Sequence, residues 1–291
     1  MFGKKNKGNE SDNICDLAVI LKMIKEAEAV LVGVGDGVYE ELGITSSRDL
    51  FEMDYMKDAH KQGSKFGLKT EELQKFWAKY SKFVYENRYK IKEAQIYKEL
   101  YELIKEKKYF ITTLNPGRML GESGFDEEKV FYAQGDYALL QCTIPCSEHT
   151  YNNEEIIMQM IGEIKDGKVP VDLIPYCPRC GRELICNLRE NARFVRTEEF
   201  KKGLKGGEEF IEKYKRKKML IIELGAEFDA IGLLRYPFWN LVKNNKKIKY
   251  ICINKHDASC GDDIKDRTIG VEKSPSEMIH RLYLHKKKKR I

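Results

Sequence analysis

Five short apolar runs constrain this chain more than any other feature. They are "AVLVGVG" (29–35), "YFITT" (109–113), "KVFYAQG" (129–135), "MLIIELG" (219–225) and "KYICIN" (249–254). Most close on glycine or a polar residue. A strand that is apolar at consecutive positions is covered on both faces, which belongs to a parallel sheet rather than a half-exposed antiparallel one. Stretches with helical spacing, "DLAVILKMIKEAE" and "IYKELYELIKEK", precede the first two runs. Strand, helix, strand recurrence predicts a doubly wound α/β domain. At 291 residues there is room for one large core and a smaller module.

Two stretches break the rhythm. Residues 40–95 contain no strand pattern. Within them "TEELQKFWAKYSKFVYENRY" places Leu73, Phe76, Trp77 and Tyr80 at helical spacing, which predicts a packed helical insertion rather than an aromatic cofactor box. Residues 141–195 are rich in cysteine, carry three of the seven prolines at 170–178, and show little helical pattern. They read as a small module inserted in the α/β domain.

Charge excludes little. The net charge is +6, and Lys286 to Arg290 supply five basic residues in a row. That run reads as a solvated tail, so no nucleic-acid surface is expected. No stretch of 18 apolar residues exists, and the polar start "MFGKKNKGNESDN" has no apolar segment behind it. No membrane contact and a cytoplasmic location are expected.

Eight cysteines are present. "CTIPC" contributes Cys142 and Cys146, and "CPRC" contributes Cys177 and Cys180, followed by Gly181. Two close pairs about thirty residues apart match four thiolates on one tetrahedral zinc. A closed set of four thiolates makes a structural metal rather than a catalytic one. The alternative is a group of buried free thiols. Cys186, Cys252 and Cys260 fall outside the pattern and read as ordinary thiols.

"GVGDGVYEELG" puts Gly33, Gly35 and Gly37 at the end of the first run. Glycines there let backbone amides approach a phosphate, and they equally suit a tight turn with no ligand. Asp36 lies among them, and a carboxylate repels a pyrophosphate.

Taken with "TTLN", "QGDY", "ELGAEFD" and "CIN" at the ends of the later runs, this ensemble resembles the sirtuin family. "AQGDYALLQC", "YNNEE", "IPYCPRCGRELICNLR" and "YPFW" are most similar to its macrodomain-linked branch, the class M sirtuins. The resemblance covers roughly residues 15 to 270. It implies a Rossmann-like NAD domain over 14–140 and 196–285, with the helical insertion at 40–95. It also implies a zinc-binding module at 141–195, between a polar tail (1–13) and a basic tail (286–291). NAD and structural zinc are the implied cofactors.

Ordinary sirtuins need a histidine after the third strand to deprotonate a ribose hydroxyl, and Gln134 stands there. An amide has no useful basicity, so lysine deacylation is disfavoured. The branch is known for protein ADP-ribosylation of a lipoylated carrier protein, which the resemblance implies as partner, together with a macrodomain protein. By the same resemblance Gly33, Gly35 and Gly37 lie against the NAD phosphates and Asn115 near the nicotinamide ribose. Gln134 orients the ribose hydroxyls, Arg189 faces the acceptor, and Gly225 and Asn254 hold the adenosine half. Departures stand beside these matches. Tyr39 replaces the expected serine, "TTLNPGR" displaces Asn115 by one, and Pro116 and Gly117 follow without the family's aspartate. Glu227 and Asp229 occupy positions where the branch shows glycine and asparagine. With Asp36 they make a scaffold that binds partners but has lost NAD the second reading.

Overall fold

The computed structural model describes residues 10–44, 70–90, 94–189, 193–226 and 232–289. The chain opens with α1 (Glu10–Glu26), β1 (Ala29–Val34) and α2 (Gly37–Glu41). It resumes with α3 (Thr70–Val84), a wide-turn helix over Tyr85–Lys90, α4 (Gln95–Ile104), β2 (Lys108–Thr113) and β3 (Val130–Tyr132). Next come β4 (Gly135–Cys142), β5 (Tyr151–Asn152), α5 (Glu154–Glu163) and β6 (Leu184–Leu188). The last part holds α6 (Glu198–Tyr214), β7 (Met219–Leu224), α7 (Arg235–Asn244), β8 (Lys249–Asn254), β9 (Thr268–Glu272) and α8 (Pro275–Lys288).

Six strands form one parallel sheet in the order β3-β2-β1-β7-β8-β9. All five apolar runs are in it, and β9, with only one buried residue, is the edge strand that the pattern did not announce. Period-2 alternation sorts each strand between two cores. Val30, Val32 and Ile222 meet α1, α4 and α8 on one face. Leu31, Phe110 and Ile221 meet α6 and α7 on the other. Two helices start where the sequence caps them: Thr197 accepts from the Phe200 amide before α6, and Ser274 accepts from the Glu277 amide before α8, with Pro275 next.

A second, antiparallel sheet, β5-β4-β6, begins at Gly135, just after the parallel sheet's edge strand β3 ends at Tyr132. Residues 154–163 form a helix in the stretch read as helix-poor; Ile157 and Met160 bury its apolar stripe against α3. Leu73, Phe76, Trp77 and Tyr80 are all buried, as their spacing predicts. α1 starts at Glu10, inside the stretch read as a polar tail. The basic C-terminal run is helical through Lys288, and Lys286 caps α4 by donating to the Glu102 and Leu103 carbonyls. That position favours a cation at a helix C-terminus.

Candidate functional site

The order of the sheet reverses at β1, which sits between β2 and β7, so the crevice at their carboxyl ends is where an open α/β sheet binds ligands. The Gly35 amide donates to the Leu224 carbonyl and the Gly37 amide to Gly225, each at 2.9 Å. Gly225 has φ 57°, and a side chain there would crowd the Val38 amide. A Cβ on Gly35 would stand 2.5 Å from Ala226 Cα. Gly35→Ala is therefore expected to destabilise the protein by about 2–3 kcal/mol through backbone overlap. A shifted denaturation midpoint with unchanged slope checks this. Gly33 lies within β1 and leaves room for the Phe238 ring. Gly37 and Gly225 line a cavity of about 280 Å³ with Glu40, Glu41, Lys255 and His256. Asn254 is buried and tied: it donates to Ala226 O and accepts from the His256 and Asp257 amides.

Asn115 follows β2. Its amide donates to Thr113 Oγ1 and its Nδ2 to the Tyr97 hydroxyl at 3.0 Å. Its Oδ1 is buried with no partner, and so is Gln134 Oε1. Buried acceptors are normally satisfied, and the protein's own groups leave these two oxygens open to a donor. Gln134 sits at the junction of the two sheets. Gly135 after it has φ 101°, with the Asn187 carbonyl where a side chain would go. The Arg189 amide donates to the Gln134 carbonyl at 3.0 Å, which brings these two residues of distant sequence together. Arg189 is exposed, and its side chain has no ion pair among the described residues. The Tyr39 hydroxyl, buried, accepts from the Gly117 amide at 2.9 Å. The two departures touch, and the phenol fills space that a side chain at 117 would need.

Cys142, Cys146, Cys177 and Cys180 converge with all four sulfurs within 4.8 Å of one another. Burial opposes the Cys177 thiolate, but the Arg179 and Cys180 amides and the Tyr151 hydroxyl hold its pKa down to about 6. Four soft thiolates in a closed set fit tetrahedral zinc.

No protein-family model matches the chain. A curated relative, the protein ADP-ribosyltransferase of Staphylococcus aureus strain Mu50, is 28% identical over 268 residues, covering 90% of this chain and 85% of that one. Among solved structures, a complex of Sir2 with a p53 peptide and NAD+ superposes with a TM-score of 0.63 at 16% identity, over 93% of this chain and 98% of the other. Sir2Tm bound to a propionylated peptide matches with the same score, identity and coverage. The chain has the sirtuin fold.

Within the sirtuin fold, two clusters escaped the sequence reading. The Asp136 carboxylate, at the start of β4, accepts from the Ala138 amide and also meets Arg88 and Arg118. Arg88 and Arg118 lie in unremarkable polar surroundings, so nothing in the sequence singled them out. The second is Glu223, wholly buried, 2.9 Å from Arg235. Here a signal existed: a carboxylate in the middle of "MLIIELG" demands a buried partner. Glu227 and Asp229 lie outside the described residues. His149 is exposed on the cysteine module, and His256 lines the cavity at Gly37.

Proposed function

We propose that this chain is an NAD-dependent protein ADP-ribosyltransferase of sirtuin type, acting on a lipoylated carrier protein. The observation that carries the reading is Gln134, with its Oε1 buried and unpartnered at the junction of the two sheets. An amide accepts a hydrogen bond there but cannot take a proton, so the site suits group transfer and not the base-dependent deacylation route. The curated relative bears the name of the transferase activity. NAD supplies the ADP-ribosyl group: the bond from its ribose C1′ to the nicotinamide nitrogen breaks, its electron pair leaves with nicotinamide, and an acceptor nucleophile replaces it and releases a proton.

The chain's residues position and exclude. Asn115 Oδ1 and Gln134 Oε1 offer acceptors to a carboxamide NH2 and to ribose hydroxyls, which is the donor set that NAD presents. Gly35 and Gly37, with Gly33 at the end of β1 before them, form the edge proposed for the phosphates, and Gly225 and Asn254 the adenosine end. Arg189 meets an acceptor approaching between the sheets. In the adjoining cleft of about 360 Å³, Phe131, Phe194 and Phe200 give an apolar wall suited to an acyl arm. The thiolate cluster would hold zinc away from these groups, in a structural role. A macrodomain companion rests on the branch resemblance alone.

One observation favours the second reading, a partner-binding scaffold without NAD. The Gly35 and Gly37 amides are spent on carbonyls, and Asp36 stands between them. Nicotinamide release from NAD by the zinc-loaded protein separates the readings. Carrier-dependent release is expected, falling about 100-fold in Gln134→Ala as positioning is lost. No release and no equilibrium NAD binding would sink the transferase, and robust acetyl-lysine turnover would sink the reading of Gln134.

A further inference from the structure

Between the loop that carries Asn115 and the strand that follows Gln134 lies a charge cluster that the proposed chemistry leaves unused. Arg118 holds left-handed backbone at φ 57°, a conformation that side chains avoid unless the surroundings enforce it. Its guanidinium is 24% exposed and lies 2.6 Å from Asp136 Oδ2, a charge contact out of line with the N–H. It stacks on Tyr132 at 4.8 Å and reaches Glu199 at 2.9 Å. Asp136 is 8% exposed, and its other oxygen takes Arg88 at 3.2 Å and the Ala138 amide at 2.8 Å.

Asn115 is anchored from its own side by Thr113 and Tyr97, and Gln134 from the module side through the Arg189 amide. On their N-terminal side the sheet holds the two segments together, with the Ala133 amide donating to the Thr113 carbonyl at 2.9 Å, and on their C-terminal side two more links cross. One is a 3.3 Å bond from the Tyr137 amide to the Pro116 carbonyl. The other is Arg118 on Asp136, which lie three residues beyond Asn115 and two beyond Gln134. The ionic link is the one that joins side chains, and its opposite charges attract in a part-buried setting that water screens only weakly. We propose that Arg118 and Asp136 are positioning residues whose contact sets the spacing of Asn115 and Gln134 at the reacting ribose. This rests on the transferase reading for its chemistry, while the spacing itself is measurable without turnover.

The test is Asp136→Asn, which keeps the shape and removes the anion. Two readouts are taken against the wild-type chain: kinetics with NAD, and the side-chain NH2 signals of Asn115 and Gln134 by NMR, assigned with Asn115→Asp and Gln134→Glu. Nicotinamide release is expected to fall about 100-fold at saturation, with NAD affinity held within about threefold and both NH2 signals moved. A displacement of that kind touches kcat and not binding. Equal loss of affinity and rate with a lowered melting temperature would indicate a merely structural role and overturn the proposal. So would unchanged kcat. If the wild-type chain itself shows no turnover, the transferase reading fails separately. The NH2 signals then decide: movement supports the clasp, and unmoved signals overturn it. Should Asp136→Asn not fold, Arg118→Lys keeps the charge without the planar fork. About a tenfold loss, again with moved signals, supports the clasp. Full rate with unmoved signals overturns it.

Discussion

Removing zinc is expected to unfold the cysteine module and leave the parallel sheet standing. Metal on four thiolates contributes on the order of 10 kcal/mol of folding free energy, comparable to the whole stability of an ordinary domain. The module has little to replace it. Its sheet has three strands, and β5 spans only two residues. Cys142 and Cys177 are themselves buried in the core, so the sulfurs that the metal joins are also packing groups. One zinc per chain should be released by a chelator under reducing conditions. Amide exchange should then accelerate in β4, β5 and β6 while β1, β7 and β8 stay protected. Cys180→Ser should reproduce this without chelator. Intact exchange protection after complete metal removal would show that the four thiols are packing residues only.

The other large effect is at Arg235. Burial opposes its charge, yet Glu223 and Asp257 raise its pKa above the ordinary arginine value. The guanidinium meets Glu223 at 2.9 Å and Asp257 at 2.6 Å, and donates to the Ala226 and Asp257 carbonyls. The Tyr250 hydroxyl donates to the other oxygen of Glu223 at 2.6 Å. Arg235→Met strands a carboxylate in the sheet and is expected to destabilise the fold by about 3–5 kcal/mol. The double variant Glu223→Leu with Arg235→Met should recover most of that loss, because an apolar pair needs no desolvation. A double-mutant cycle on denaturation midpoints reads the coupling. A single-variant effect under about 1 kcal/mol would mean that the pair is not charged. Arg235 also ties β7, β8 and α7 at the carboxyl edge through Ala226 and Asp257, so under the proposed transferase function its loss should weaken NAD binding as well.

The charge network shows where sequence reading stops. Glu223 announces itself, since a carboxylate inside an apolar run has to be paired. Its partner does not, because Arg235 is twelve residues away on a helix and one arginine in "LLRYPFW" looks like any other. Asp136 bonds locally as well, since its carboxylate accepts from the Ala138 amide two residues on. Its second role, holding Arg88 and Arg118, depends on a helix 48 residues away and a loop 18 residues away and has no local trace.

By itself the sequence determined the layers of this protein. Continuous apolar runs separated by helical spacing admit one arrangement, strands covered on both faces, because apolar surface must leave water at every consecutive position. It also determined the thiolate set, because two close pairs of cysteines have few other uses. Only the tertiary structure decided what the glycines and amides do. Gly35 and Gly225 are required by the closeness of β1 and β7, and no residue spacing reports how near two backbones come. Likewise Gln134 and Arg189 become neighbours only when β4 and β6 pair. Local chemistry is written in local sequence, whereas the distance between two loops is fixed by the packing of everything beneath them.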